Sequence, residues 1–143
     1  MLRKLRERTY EGQGGFSLIE LLVVILIIGV LAAIALPAFL GQREKGQDSS
    51  AKSAARNLVS GIESYYATNK TYVGAGSDSD VTSMGVLGSG NGQASIEDTS
   101  ATGYTIVGHS ASNNQFTISK SGSTVTRKCS TANSGACPTG GSW

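Results

Sequence analysis

The chain has 143 residues, 39% of them apolar and 15% charged, and carries a net charge of +2, which allows about one domain. Setting aside an apolar run near the N-terminus leaves roughly 100 residues for a soluble part, whose core must be modest and its stability marginal. That part is rich in Gly, Ser, Thr and Asn, which points away from an enzyme with a deep cleft and toward a thin, loop-rich module.

Residues 1–15 are basic and Gly-terminated: Arg3, Lys4, Arg6 and Arg8 stand against Glu7 and Glu11. They hold the whole net charge, since the remaining chain has eight basic and eight acidic residues. A neutral remainder argues against a phosphate-binding surface, so no specific nucleic acid is expected. Positive charge ahead of an apolar run is retained on the cytoplasmic side of a membrane.

Residues 16–40 are apolar apart from one charge, Glu20. As a helix they span about 37 Å, enough for a hydrocarbon core of about 30 Å. From residue 42 the pattern changes. Ala51, Ala55, Leu58, Ile62 and the Tyr65-Tyr66 pair recur at three- and four-residue steps, with Arg43, Lys45, Lys52, Arg56 and Glu63 at other angles. That is an amphipathic helix with one apolar stripe. One helix is therefore expected from Phe16 to about Thr68, ended by Asn69-Lys70. Gly29 and Pro37 are its expected weak points, Pro37 because it removes a donor and clashes with the preceding turn.

Residues 71–102 read as a long Gly/Ser/Asp-rich loop, with short elements at 81–87 and 94–96. Three strand-like segments follow at 103–109, 115–120 and 124–129, separated by turn compositions. They predict an antiparallel meander that covers the stripe of the second helical half. The expected fold class is α+β: a leader over 1–15, a membrane or assembly half-helix over 16–40, and a globular domain over 41–143.

Cys129 and Cys137 are the two cysteines. In an exported protein such a pair reads as a disulfide closing a small loop. His109 is the single histidine, so a Cys/Cys/His metal site lacks a fourth protein ligand. Asp78, Asp80, Glu97 and Asp98 are candidate oxygen ligands for a cation, yet without EF-hand spacing. No nucleophile–base–acid constellation is spaced for catalysis. Neither metal nor cofactor is expected. Tyr65, Tyr66 and Tyr72 read as packing between helix and sheet.

Gly14-Gly15-Phe16-Ser17-Leu18-Ile19-Glu20-Leu21-Leu22 resembles the class III signal of type IV pilins and type II secretion pseudopilins. The likeness runs through Val23-Val24-Ile25 to Pro37, about a fifth of the chain. It implies cleavage between Gly15 and Phe16 by a membrane-embedded prepilin peptidase, then N-methylation of Phe16. It implies that Glu20 pairs with the Phe16 amine of a neighbouring subunit, since intramembrane carboxylates are usually paired and functional. It also implies an extended segment between Gly29 and Pro37 in assembled filaments. The expected partners are further copies of the chain in a helical filament, the peptidase, inner-membrane assembly machinery and, before assembly, the lipid bilayer. The precursor belongs in the cytoplasmic membrane, and the mature chain in an extracellular pilus or a periplasmic pseudopilus.

Two other readings share the apolar run. A Sec-exported protein would be cut after Ala35, at Ala33-Ile34-Ala35, but has no use for Glu20. A single-span protein would retain residues 1–15.

Overall fold

The computed structural model describes residues 15–143; the leader up to Gly14 lies outside the described residues. The described chain forms two compact units, one ending at Ala38 and the other Phe39–Trp143. Helix α1, Leu18–Asn69, contributes to both.

In the first unit α1 is Leu, Ile, Val and Ala on every side, a composition that leaves it no polar face. Its large apolar residues are exposed all round, from Leu18 to Leu36. By length and composition this helix is able to cross a membrane. In the single chain α1 is continuous through Gly29 and Pro37; the extended segment implied above belongs to assembled filaments. Proline costs the helix one backbone bond, which a long helix tolerates when its neighbouring turns stay intact.

In the second unit the α1 stripe Ala51, Ala54, Ala55, Leu58 and Ile62 is buried. The small residues lead the stripe, and there the sheet approaches most closely. A Cβ on Gly108 would overlap the carbonyl oxygen of Ala51 and lie 3.2 Å from Ala55 Cβ. The helix ends where Lys70 turns to φ 57° and its N–H still donates to the Tyr66 carbonyl at 2.8 Å. This is a left-handed C-terminal stop without glycine.

The sheet has four antiparallel strands, β1 (Ala94–Thr99), β2 (Gly103–His109), β3 (Gln115–Ser121) and β4 (Thr124–Cys129), ordered β1-β2-β3-β4. Tyr104, Ile106, Phe116 and Ile118 face α1 and are buried against it. The β3–β4 turn is two residues long, with Gly122 at φ 59°, as a two-residue hairpin demands.

The stretch read as a loop therefore contains a strand. β1 extends from the expected 94–96 to Thr99, with a register shift between Ile96 and Asp98. That bulge, together with Glu97 and Asp98, hides the period-two pattern. The segment proposed at 81–87 is not one element. Val81 lies in the short helix α2 (Ser79–Thr82), whereas Leu87 makes an isolated bridge to Ala94.

Candidate functional site

The residues singled out at the N-terminus meet at the first turn of α1. Gly15, Phe16 and Ser17 precede the helix in non-helical conformation, and Phe16 is 89% exposed. Among the described residues a Cβ built on Gly15 meets nothing within 4 Å, so no packing contact there accounts for its lack of a side chain. Ser17 precedes the first helical residue, Leu18, and Glu20 is the third. The Ser17 N–H donates to Glu20 Oε2 at 2.8 Å. That is the return half of a Ser-x-x-Glu capping box, which satisfies one of the orphan donors at a helix start. The acid also complements the positive end of the helix dipole. Spacing alone signals this second role for Glu20, which the sequence analysis did not assign.

Beyond this turn, α1 presents Leu22, Ile25, Leu26, Gly29, Val30 and Ala33 along a shallow apolar groove. The side chains offer only dispersion and hydrophobic contact. The arrangement is one acid, one exposed aromatic and a long apolar rod, without any bond-making group.

The second unit holds two polar clusters that sequence reasoning missed. Asp48 has no exposed surface. Its carboxylate accepts from Ser110 Oγ at 2.6 Å, Ser112 Oγ at 2.5 Å and the Ala136 N–H at 2.7 Å. Burial works against its charge, but these hydrogen bonds outweigh it and hold the carboxyl below the usual range. Asp48 thus ties α1 to the β2–β3 turn and to the loop closed by the Cys129–Cys137 disulfide, whose Cα atoms lie 5.9 Å apart. Gly135 is required in that loop, with φ 55° and Asp48 Oδ2 standing where a Cβ would go.

In the other cluster Lys120 Nζ bonds Glu63 Oε1 at 2.7 Å and Tyr72 Oη at 2.6 Å, facing the rings of Tyr66, Tyr72 and Tyr104. Tyr72 and Tyr104 donate to Glu63. Burial opposes the Glu63 charge, but the bonds from Lys120 and the tyrosines hold its carboxyl low, and the bond to Glu63 raises Lys120. Tyr65 donates to the Val73 carbonyl. These aromatics close the seam between helix and sheet.

His109 Nε2 lies 2.8 Å from Ser95 Oγ, but the single Ser95 proton goes to Glu97 Oε1. The imidazole is therefore the donor, and the pair is not an activated nucleophile. Asp78 caps α2 through the N–H groups of Asp80 and Val81. Among the described residues no three His, Cys, Asp or Glu side chains converge to hold a metal.

Residues 12–36 match the family model described as the prokaryotic N-terminal methylation motif. The chain is 40% identical over 75 residues to a fimbrial protein of Neisseria meningitidis, covering 48% of this chain and 44% of that protein. It is 38% identical over 65 residues to type II secretion system core protein G of Escherichia coli K12, covering 46% and 45%. It is 40% identical over 58 residues to the type IV major pilin protein PilA of Myxococcus xanthus, covering 41% and 26%. The matches span less than half the length of each of these relatives. No solved structure matches significantly.

Proposed function

Since the chain belongs to the family of type IV pilins and type II secretion pseudopilins, we propose that it is a structural subunit of a type IV pilus, polymerised through α1. The observation that carries this reading is the motif at the head of α1: Gly15, Phe16 and Glu20 ahead of a rod that is apolar and exposed on every side. Such a surface is stable only in lipid or against other copies of itself. The precursor then spans the inner membrane with its basic leader in the cytoplasm. Prepilin peptidase cuts between Gly15 and Phe16, and the new Phe16 amine is methylated. In the filament that amine pairs with Glu20 of a neighbour, and the mature chain ends in an extracellular fibre. The role is structural rather than enzymatic.

The cleavage assignment is tested by Gly15→Leu. A glycine with open space around it among the described residues needs its smallness for something other than packing against them. Fitting an extended backbone into a narrow active site is such a need. Precursor should accumulate and the processed form should fall at least tenfold on immunoblots. Normal processing rejects the assignment. N-terminal sequencing of wild type should return methylated Phe16; Leu36 would instead establish a Sec signal, and retained residues 1–15 an uncleaved anchor.

A second reading, a pseudopilin of a type II secretion system, is supported by the comparable identity to core protein G. Electron microscopy of a deletion strain separates the two. Loss of long surface fibres marks a pilin, and intact fibres with a secretion defect mark a pseudopilin.

A further inference from the structure

The second unit carries a group of cations beside one edge of its sheet and a pair of exposed acids at the other. β4 is an outer strand, and its residues from Thr124 to Lys128 are exposed. Beside it lies the indole of Trp143, with Lys52 Nζ, Arg56 Cζ and Arg127 Cζ at 5.3, 5.1 and 5.6 Å from the ring centroid. Lys52 is partly engaged, donating to the Ala136 carbonyl at 2.6 Å. Arg56, Arg127 and Lys128 make no ion pair among the described residues. The aromatic face gathers these cations at a partial gain, but it neutralises none of them.

At the other edge, β1 exposes Glu97 and Asp98. The segment beside it brings more acid: a Cβ on Gly76 would lie 3.3 Å from Ile96 Cδ1, and Asp78 and Asp80 follow at once. None of these four acids is in an ion pair among the described residues. The two edges are therefore opposite in sign on the same molecule.

Neither edge is suited to strand addition. On β4 the backbone is occupied: Cys129 N–H donates to the Gly141 carbonyl, and Trp143 Nε1 and Ser142 Oγ donate to the Lys128 and Arg127 carbonyls. On β1 the bulge at Glu97 disrupts the ladder. What the edges offer is side-chain charge.

We propose that the β4 edge of one copy, with Arg56, Arg127 and Lys128, docks on the β1 edge of another, with Glu97 and Asp98. Such a contact is heterologous, so repeating it builds a ring or an open helical polymer rather than an isologous dimer, and the open form is the one a filament uses. It rests on the subunit reading above and adds a second, electrostatic contact between globular domains. Complementary charge fixes register and rejects misaligned neighbours.

The test exchanges the charges within the full-length chain and measures sheared surface filaments. R127E/K128E and E97K/D98K should each lower filament yield at least tenfold, because acid then faces acid or base faces base. The four-fold variant carrying both pairs should return to within about threefold of wild type. Restoration by changes at the far edge also shows that the single pairs had not merely unfolded, since a misfolded domain is not rescued there. Membrane levels of processed, disulfide-bonded chain should stay constant throughout. Wild-type yield from either pair, or no recovery in the combined variant, overturns the contact. So does a loss of filament retention on immobilised heparin with unchanged yield, which would assign the cations to a polyanion. A wild-type chain that forms no filament at all would instead reject the subunit reading, and this contact with it.

Discussion

At Asp48 a carboxylate with no exposed surface holds together segments 62 and 88 residues away in sequence, through Ser110 and Ala136. Asp48→Ala would strand two hydroxyls and a backbone N–H, a loss of about 3 kcal/mol for bonds to a charged acceptor. Urea unfolding in detergent, followed by Trp143 fluorescence, should show it; a loss below about 1 kcal/mol would mean that water replaces the carboxylate. Because the folded carboxyl sits below its ordinary value, its stabilisation is full above pH ~4 and is lost as pH falls through the lowered value. The variant should therefore lose part of the wild-type acid sensitivity. Glu63 adds a similar acid-side loss. Lys120, raised by Glu63, contributes below its ordinary value near 10.4 and loses that contribution only as pH climbs through the raised one. Asp48 was not legible in the sequence, where it stands among Gln47, Ser49 and Ser50 on an otherwise polar helical turn. Its burial comes from partners brought in by the sheet and the disulfide loop. Ser17 and Glu20, by contrast, carry their relation in a spacing of three.

Among the elements, α1 and strands β2 to β4 follow from local pattern: an apolar run continued by a helical stripe for α1, and β-prone residues set between turn compositions for the strands. β1 does not, since its bulge falls where two acids already interrupt the alternation. Gly29 and Pro37 show the opposite limit. Local preference marks a weak point there, and the single chain still forms a continuous helix because one lost backbone bond does not outweigh its intact neighbours. The element most dependent on one absent side chain is β2, where Gly108 meets the Ala51 carbonyl. Gly108→Ala must push the strand off the helix or shift the helix itself, at about 1–3 kcal/mol, the usual cost of overpacking. Melting of the purified chain in detergent should drop by several degrees for a domain of this size, ~4–8 °C per kcal/mol. An unchanged melting temperature would show that the seam between Ala51 and β2 is looser than its geometry implies. Gly140, whose Cβ position is open, is the control.

For the whole molecule, the first unit has the surface of a membrane span and the second has a compact core of its own. The assembly proposed above moves the apolar rod from lipid to protein, and Glu20 is the polar group that moves with it. In the single chain its carboxylate is already engaged by the Ser17 N–H, so capping and the proposed pairing with a neighbour's amine are two separable demands on one side chain. Glu20→Gln separates them. Glutamine serves at the third position of a capping box as glutamate does, but it has no charge to meet a methylated amine. The Gln variant should keep wild-type membrane levels and normal processing while filament yield falls more than a hundredfold, the scale of breaking a buried ion pair at about 3–5 kcal/mol. Glu20→Ala should lose the cap as well and assemble no better. Wild-type filaments from Glu20→Gln would show that the charge is dispensable and that the acid is there to start the helix. Poor filaments from both variants would place the charge itself at the subunit contact, because only the charge is missing from both.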